Sequence, residues 1–255
     1  MQCLEPIWLE KNETASRLRG RIESVLDWAR ARGLRSGDNP AAWRGGLQSL
    51  LAAPSKAQRV VSHPSMPYAQ LPAFMQALRQ RDGAGPRAMM LLILTACRSG
   101  EVRASQWSEF NTDVWTIPAE RMKAKIEHRV PLSVQARALL ASIRTSSGSA
   151  FSSDAHSNAD SDWLFTGSKQ SQPISDMTMT KQLERMGFGQ YTVHGFRSSF
   201  RVWSAEQTQY PREVCEHALA HKLPDKVEAA YMRSDYLDKR ALLMQDWADF
   251  LLGSA

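Results

Sequence analysis

The ten residues 88–97, A-M-M-L-L-I-L-T-A-C, are apolar on nearly every side. A helix with no polar face cannot lie on the surface of a protein in water. The run is too short to span a bilayer, and Arg98 follows it at once. Other elements of the same chain must therefore wrap it, and a cation at its end is held rigidly by the core behind it. A helix is predicted over 87–97, with Gly100 permitting a tight turn into a further helix that begins E-V-R-A-S-Q-W. At 255 residues, 43% hydrophobic and 23% charged, the chain has enough apolar material for such a core.

In residues 14–33, Leu18, Ile22, Leu26 and Ala29 recur at helical spacing. Residues 11–35 hold seven Lys or Arg against three acids, a basic helix readable as a solvated face or as a phosphate contact. Asn39-Pro40 reads as the N-cap and first position of a helix reaching about Leu51. Residues 53–66 carry Pro, Ser and basic residues without a period and read as a linker. The chain thus divides into residues 1–60, about two helices with too little material for a core of their own, and a main domain over 61–255.

Within the main domain, helices are predicted at 69–82, 87–97, 133–144, 176–186, 198–206, 211–219, 225–233 and 237–252. V-W-T-I (114–117) and H-R-V-P-L (128–132) are β-leaning, and A-E-R-M-K-A-K-I-E between them makes a hairpin with a basic tip. Residues 145–175 read as a long surface loop with one short strand at Trp163-Leu164-Phe165. The expected fold class is mainly α with a small antiparallel β-sheet.

A net charge of +6 favours a polyanionic partner without requiring one. The three cysteines, Cys3, Cys97 and Cys215, are scattered and make no disulfide framework, which points to a reducing cytoplasm. No basic-then-apolar signal opens the chain, and no membrane role is expected.

The densest chemistry lies in residues 191–233, where His194, Arg197, His221 and Tyr231 follow in order. Breaking a phosphodiester without a metal needs a nucleophile, cations for the non-bridging oxygens and an acid for the leaving oxygen. Tyrosine suits the first role, because a phenolate is also a good leaving group. Arg98 and Arg197 would clamp the phosphate with guanidinium forks. Lys123 at the hairpin tip would be the acid, with Lys125 a rival on the same hairpin. His194 and His221 would bond the phosphate or receive the tyrosine proton, while His128 reads as a strand or turn histidine. Glu101, three residues after Arg98, shares its helix face and would orient it. His217 competes with His221, and Tyr236 with Tyr231. Cys215, His217 and His221 have a spacing open to zinc but lack an evident fourth ligand, so no metal is assigned.

The segments L-T-A-C-R-S-G-E-V, I-P-A-E-R-M-K, H-R-V-P-L-S, H-G-F-R-S-S-F-R, A-L-A-H and E-A-A-Y-M-R resemble those of the tyrosine recombinases, most closely the prophage and genomic-island integrases of the satellite-phage type. The likeness runs in order from about Glu5 to Leu251. It implies a tyrosine recombinase catalytic domain over 61–255, preceded by a remnant of a helical core-binding domain plus linker over 1–60. It implies that Arg98, Lys123, His194, Arg197, His221 and Tyr231 are catalytic. Lys123 would protonate the 5′-oxygen, Tyr231 would form a 3′-phosphotyrosine, and Glu101 would support Arg98. The family motifs favour Lys123 over Lys125, His221 over His217 and Tyr231 over Tyr236.

The same resemblance implies no cofactor, double-stranded DNA attachment sites as partner, a homotetramer on DNA, accessory DNA-bending proteins, and a bacterial cytoplasmic, nucleoid-associated location. The family pattern also carries an arm-binding domain and a full core-binding domain at its front, and this sequence is expected to lack the former and most of the latter. Two other readings follow: a non-catalytic DNA-binding remnant of a decayed integrase, and a type IB topoisomerase, against which the satellite-phage-type flanks argue. For residues 237–252, packing on a neighbouring protomer and packing on the chain's own domain are both open.

Overall fold

The computed structural model describes residues 2–53, 64–146, 162–167, 172–221 and 234–253. The chain forms two compact units, Met1–Ser62 and His63–Ala255. The first holds a one-turn helix α1 (Glu5–Trp8), a long helix α2 (Asn12–Ala31) and a 3-10 turn (Leu47–Ser49). Leu4, Trp8, Ala15, Leu47 and Leu51 are buried together, so these residues do gather a small core. Trp8 organises it: its ring stacks on Trp43 at 5.7 Å, and its Nε1 donates to the Ala52 carbonyl at 2.8 Å.

The helix predicted from Asn39 to about Leu51 is not formed. Asn39 does cap a turn, its Oδ1 accepting from the Ala41 amide at 3.0 Å. The chain then runs in turns because Gly45 takes a left-handed φ of +73°, and because a side chain at Gly46 would lie 2.6 Å from the Ala42 carbonyl oxygen.

In the second unit, α3 (Leu71–Arg79), α4 (Ala84–Thr95) and α5 (Ser99–Arg103) lead to a hairpin of β1 (Val114–Ile117) and β2 (His128–Pro131). The strands are antiparallel, with Trp115 opposite Val130 and Ile117 opposite His128. Then follow α6 (Val134–Ser146), α7 (Thr178–Arg185), α8 (Gly195–Gln207), α9 (Arg212–Ala218) and α10 (Leu237–Leu252). Mainly helical structure with one small antiparallel sheet is the class expected from the sequence.

The apolar run behaves as its composition requires. Ala88, Met89 and Leu91 to Leu94 of α4 are at most 1% exposed, and α3, α5, α6, α7 and α10 pack around the helix. Helix α10 is pinned to it by Trp247, which is fully buried, meets Phe200 edge-on and Trp203 at a tilt, and donates its Nε1 to the Ile93 carbonyl at 2.8 Å. Leu243, Met244, Ala248 and Leu251 are also buried. Of the two packings open for residues 237–252, the helix therefore takes the one on its own domain, where it forms part of the core.

Two further expectations differ, and a third is not described. Gly100 lies inside α5 with an ordinary φ, and the left-handed residue of that turn is Ala96, at φ 51°. Trp163 forms only an isolated bridge to Gln106, because that short apolar stretch is fixed by single pairings instead of a ladder. The helix predicted at 225–233 lies outside the described residues. Among the described residues, no helix is long and apolar enough to cross a membrane.

Candidate active site

Arg98 emerges where the core ends. It stands at the N-cap of α5 and makes a reciprocal pair with Glu101: the Arg98 amide donates to Oε2 and its Nη1 to Oε1, each at 2.8 Å. Glu101 is buried (5% exposed), whereas the Arg98 side chain keeps 25% of its surface. A buried carboxylate thus aims a half-buried guanidinium outward. Nη2 of Arg98 reaches the Ala220 carbonyl at 3.3 Å. From the other side, Arg121 chelates both oxygens of Glu109 and donates to the Glu101 carbonyl, which fixes α5 to the hairpin.

Arg197 is 4% exposed. Its Nη1 donates to the Ala96 carbonyl and its Nη2 to the Leu219 carbonyl. These belong to the two chain segments that immediately precede Arg98 and His221. Burial, with the nearby Arg98 second, pushes the Arg197 pKa down to about 10, so it stays charged at neutral pH. Burial also pushes the adjacent Cys97 thiol up to about 12, which leaves it inert.

The two segments have the same unusual backbone. Ala96 and Ala220 both take left-handed φ, 51° and 48°, a conformation costing an L-residue about 1–2 kcal/mol. At the end of α9 the His221 amide donates to the Glu216 carbonyl and the Ala220 amide to that of His217, each at 3.0 Å, which is the Schellman pattern. The strained alanines persist because their carbonyls, or the one next door, are held by Arg98 and Arg197.

A cavity of about 520 Å³ opens between these segments and the hairpin, lined by Arg98, Lys123, Arg212, Glu216 and His221 with Ala124 and Ala220. Three cations face one carboxylate, a field suited to an anion such as a phosphodiester. Lys123 is exposed on that wall, while its rival Lys125 donates to the Glu120 carbonyl at 3.0 Å and is not part of the lining. His221 presents Nδ1 to Glu216 Oε2 at 2.7 Å and Nε2 to Arg197 Nη2 at 3.3 Å.

His217 instead meets the ring of Tyr236 edge-on at 5.4 Å, and neither lines the cavity. With Cys215 buried, the Cys215, His217 and His221 side chains face three different surroundings. Among the described residues no cluster of three or more potential metal ligands occurs.

The structure therefore brings Arg98, Lys123 and His221 to one cavity, with Arg197 directly behind His221 and Glu101 behind Arg98. His194 is exposed at the N-cap of α8, one turn before Arg197, and is not part of the lining. Tyr231 lies outside the described residues. Glu216, Arg201 and Arg212 were not singled out from the sequence. Glu216 lies five residues before His221, a spacing that shares no helix face; only the left-handed turn at Ala220 brings the two together.

Gly195, inside H-G-F-R, is required by close approach. A side chain there would sit 2.4 Å from the Pro64 carbonyl oxygen and 2.9 Å from Ser65 Cα. The same segment is gripped by Thr192 and Ser199, which donate to the Pro64 and Met66 carbonyls. Gly195→Ala is expected to destabilise the domain by roughly 1–3 kcal/mol through overpacking. An unchanged denaturant midpoint would refute this.

Residues 65–237 match the model of the phage integrase family, and residues 1–46 that of the phage integrase central domain. The integrase of Enterobacteria phage P4 is 32% identical over 262 residues, covering 94% of this chain and 55% of that protein. The prophage integrase IntZ of Escherichia coli (strain K12) is 36% identical over 242 residues, covering 93% and 55%. The chain thus spans about half the length of the curated relatives it matches. The fold is similar to that of lambda integrase in a crystal structure of its dimer bound to a COC′ core site, with a TM-score of 0.60 at 18% identity, covering 92% of this chain and 78% of that one.

Proposed function

The chain belongs to the phage integrase family, and on that premise we propose that it is a site-specific recombinase that cuts and rejoins DNA strands through a 3′-phosphotyrosine. Residues 61–255 are its catalytic domain, and residues 1–60 are part of its core-binding domain with the linker. The observation that carries the reading is the single cavity shared by Arg98, Lys123 and His221, with Arg197 buried behind it.

Arg98 and Arg197 hold charge that neutralises the non-bridging oxygens as the phosphorus becomes five-coordinate. The Tyr231 oxygen attacks phosphorus, the P–O5′ bond breaks, and the 5′-oxygen takes a proton from Lys123. The new P–O(Tyr) bond keeps the energy of the old one. A 5′-hydroxyl from another strand reverses the step, with Lys123 now the base. His194 and His221 bond the phosphate or take up the phenolic proton. No cofactor enters this chemistry. Double-stranded DNA attachment sites are the substrate, a homotetramer on DNA is the working assembly, and accessory DNA-bending proteins assist it in the cell.

The test uses nicked duplexes tiled across the DNA that flanks the coding sequence. Cutting a few nucleotides to the 5′ side of a nick releases the short strand that carries the 5′-hydroxyl and so traps the enzyme on DNA. A denaturation-resistant adduct is expected, and mass spectrometry of its digest should place the nucleotide on Tyr231. Attachment at Tyr236 would overturn the nucleophile assignment. Salt-sensitive binding without any adduct would overturn the enzyme reading in favour of a DNA-binding remnant.

A further inference from the structure

The His221 ring is held between Arg197 and Glu216, and Glu216 is held in turn by Arg201, one turn beyond Arg197 on α8. Its Nε2 is 3.3 Å from Nη2 of Arg197. Its Nδ1 is 2.7 Å from Oε2 of Glu216, whose Oε1 accepts from Nε of Arg201 at 2.8 Å. Arg212 also approaches that oxygen, at 3.9 Å, but its side chain is 69% exposed and it contributes little. The Glu216 side chain is only 15% exposed. Burial pushes its carboxyl up, yet the hydrogen bonds from Arg201 and His221 outweigh this and hold it below the usual carboxylate range.

A carboxylate has no hydrogen to give, so the nitrogen it faces must carry one. In a neutral ring that leaves Nε2 bare, and the Arg197 N–H facing Nε2 then meets an acceptor instead of a second donor. The opposite tautomer would set two lone-pair bearers together at Nδ1 and two hydrogens together at Nε2.

We propose that Glu216, fixed in turn by Arg201, is a positioning residue that sets the tautomer of His221 and delivers Nε2 as its working nitrogen. A bare Nε2 can accept the phenolic proton of the attacking tyrosine. Once it holds that proton, the imidazolium is stabilised by Glu216 and can donate to a non-bridging oxygen. The Schellman turn makes the pairing specific: it brings the backbone of residue 216 to the amide of residue 221 and the two side chains to the same side. Only the catalytic consequence rests on the recombinase reading, since the tautomer is a property of the free protein.

The free protein, with its histidines labelled with nitrogen-15, is examined at about pH 8, above the ordinary histidine pKa of about 6.5. Long-range proton–nitrogen spectra then identify the tautomer, with His221→Asn assigning the signal. The wild type should show hydrogen on Nδ1. Glu216→Ala, in which only the contact with Arg197 still favours a bare Nε2, should raise the share with hydrogen on Nε2 to a mixture. Glu216→Gln, whose single side-chain oxygen is contested by Arg201 and His221, should give a mixture and serves if the alanine variant does not fold. Hydrogen on Nε2 in the wild type, or an Nδ1 form that persists in both variants, overturns the proposal.

On the nicked flanking duplexes, Glu216→Ala should form adduct about ten- to a hundredfold more slowly, the loss typical of removing the carboxylate that orients a metal-bound histidine. A wild type that forms no adduct would sink the recombinase reading and leave the tautomer result standing. A shifted tautomer with an unchanged adduct rate would overturn the catalytic role of Glu216 alone.

Discussion

Arg197→Lys should slow adduct formation by about a hundred- to a thousandfold, the usual effect of losing one preorganised donor to a developing oxyanion, and should also weaken the fold. The guanidinium reaches two carbonyls at once, those of Ala96 and Leu219, and also meets His221 Nε2. An ammonium cannot span both carbonyls from one nitrogen at the end of a flexible stem. Each buried carbonyl left without a donor costs about 1–3 kcal/mol. The environment that brings the arginine down to about 10 would act on a group whose ordinary pKa is only about 10.4, so the lysine would hold its charge with a much narrower margin above neutrality than the arginine does. A loss of 2–4 kcal/mol corresponds to roughly 5–15 °C in melting temperature for a domain of this size. A melt within a degree of wild type would show that Arg197 does not tie the two segments together. An adduct rate within tenfold would remove it from the phosphate clamp.

The second large effect comes from pH. Burial, with repulsion from Arg240 second, pushes His128 on β2 down to about 4. Unfolded, it titrates near 6.5. Between those values the unfolded chain binds a proton that the folded one refuses. The stabilisation is thus complete above about pH 6.5 and is lost progressively as the pH falls towards 4, by roughly 2–3 kcal/mol. His217, also lowered by burial, adds in the same direction. The carboxylates act in a lower window. Glu216 and Asp235 are held below their ordinary values despite burial, by Arg201 with His221 and by Arg129 with Arg240 respectively. Their contribution is therefore lost as the pH falls through those depressed values. His128→Gln should flatten the melting temperature between pH 6.5 and 4 relative to wild type. Parallel curves for the two proteins would refute the assignment.

What the sequence made legible is what a local pattern can encode. Residues 88–97 could only be a buried helix, and they are the centre of the domain. The runs at 114–117 and 128–131 pair in a simple antiparallel register, and the basic stretch between them brings Lys123 to the cavity wall. Other features depend on contacts between distant segments. Asn39-Pro40 carried a good helix start, but Gly45 and Gly46 downstream overrode it. The turn between α4 and α5 was expected to use Gly100, yet its left-handed residue is Ala96, whose carbonyl distant Arg197 holds. The same logic hid Glu216: no helical or strand period joins residues 216 and 221, so its place beside His221 follows only from a turn that sequence propensity would assign to glycine. Residues 237–252 showed their amphipathic pattern without showing which surface they would cover, and Trp247 answers that through Ile93.

The cross-ties between the two strained turns have a consequence for motion. Arg197 holds the carbonyls before Arg98 and before His221, and Arg98 holds the Ala220 carbonyl in return. Releasing either turn removes a partner from the other, so neither relaxes alone. Opening at one turn is therefore expected to be cooperative with opening at the other, so that the two share one protection free energy in amide exchange.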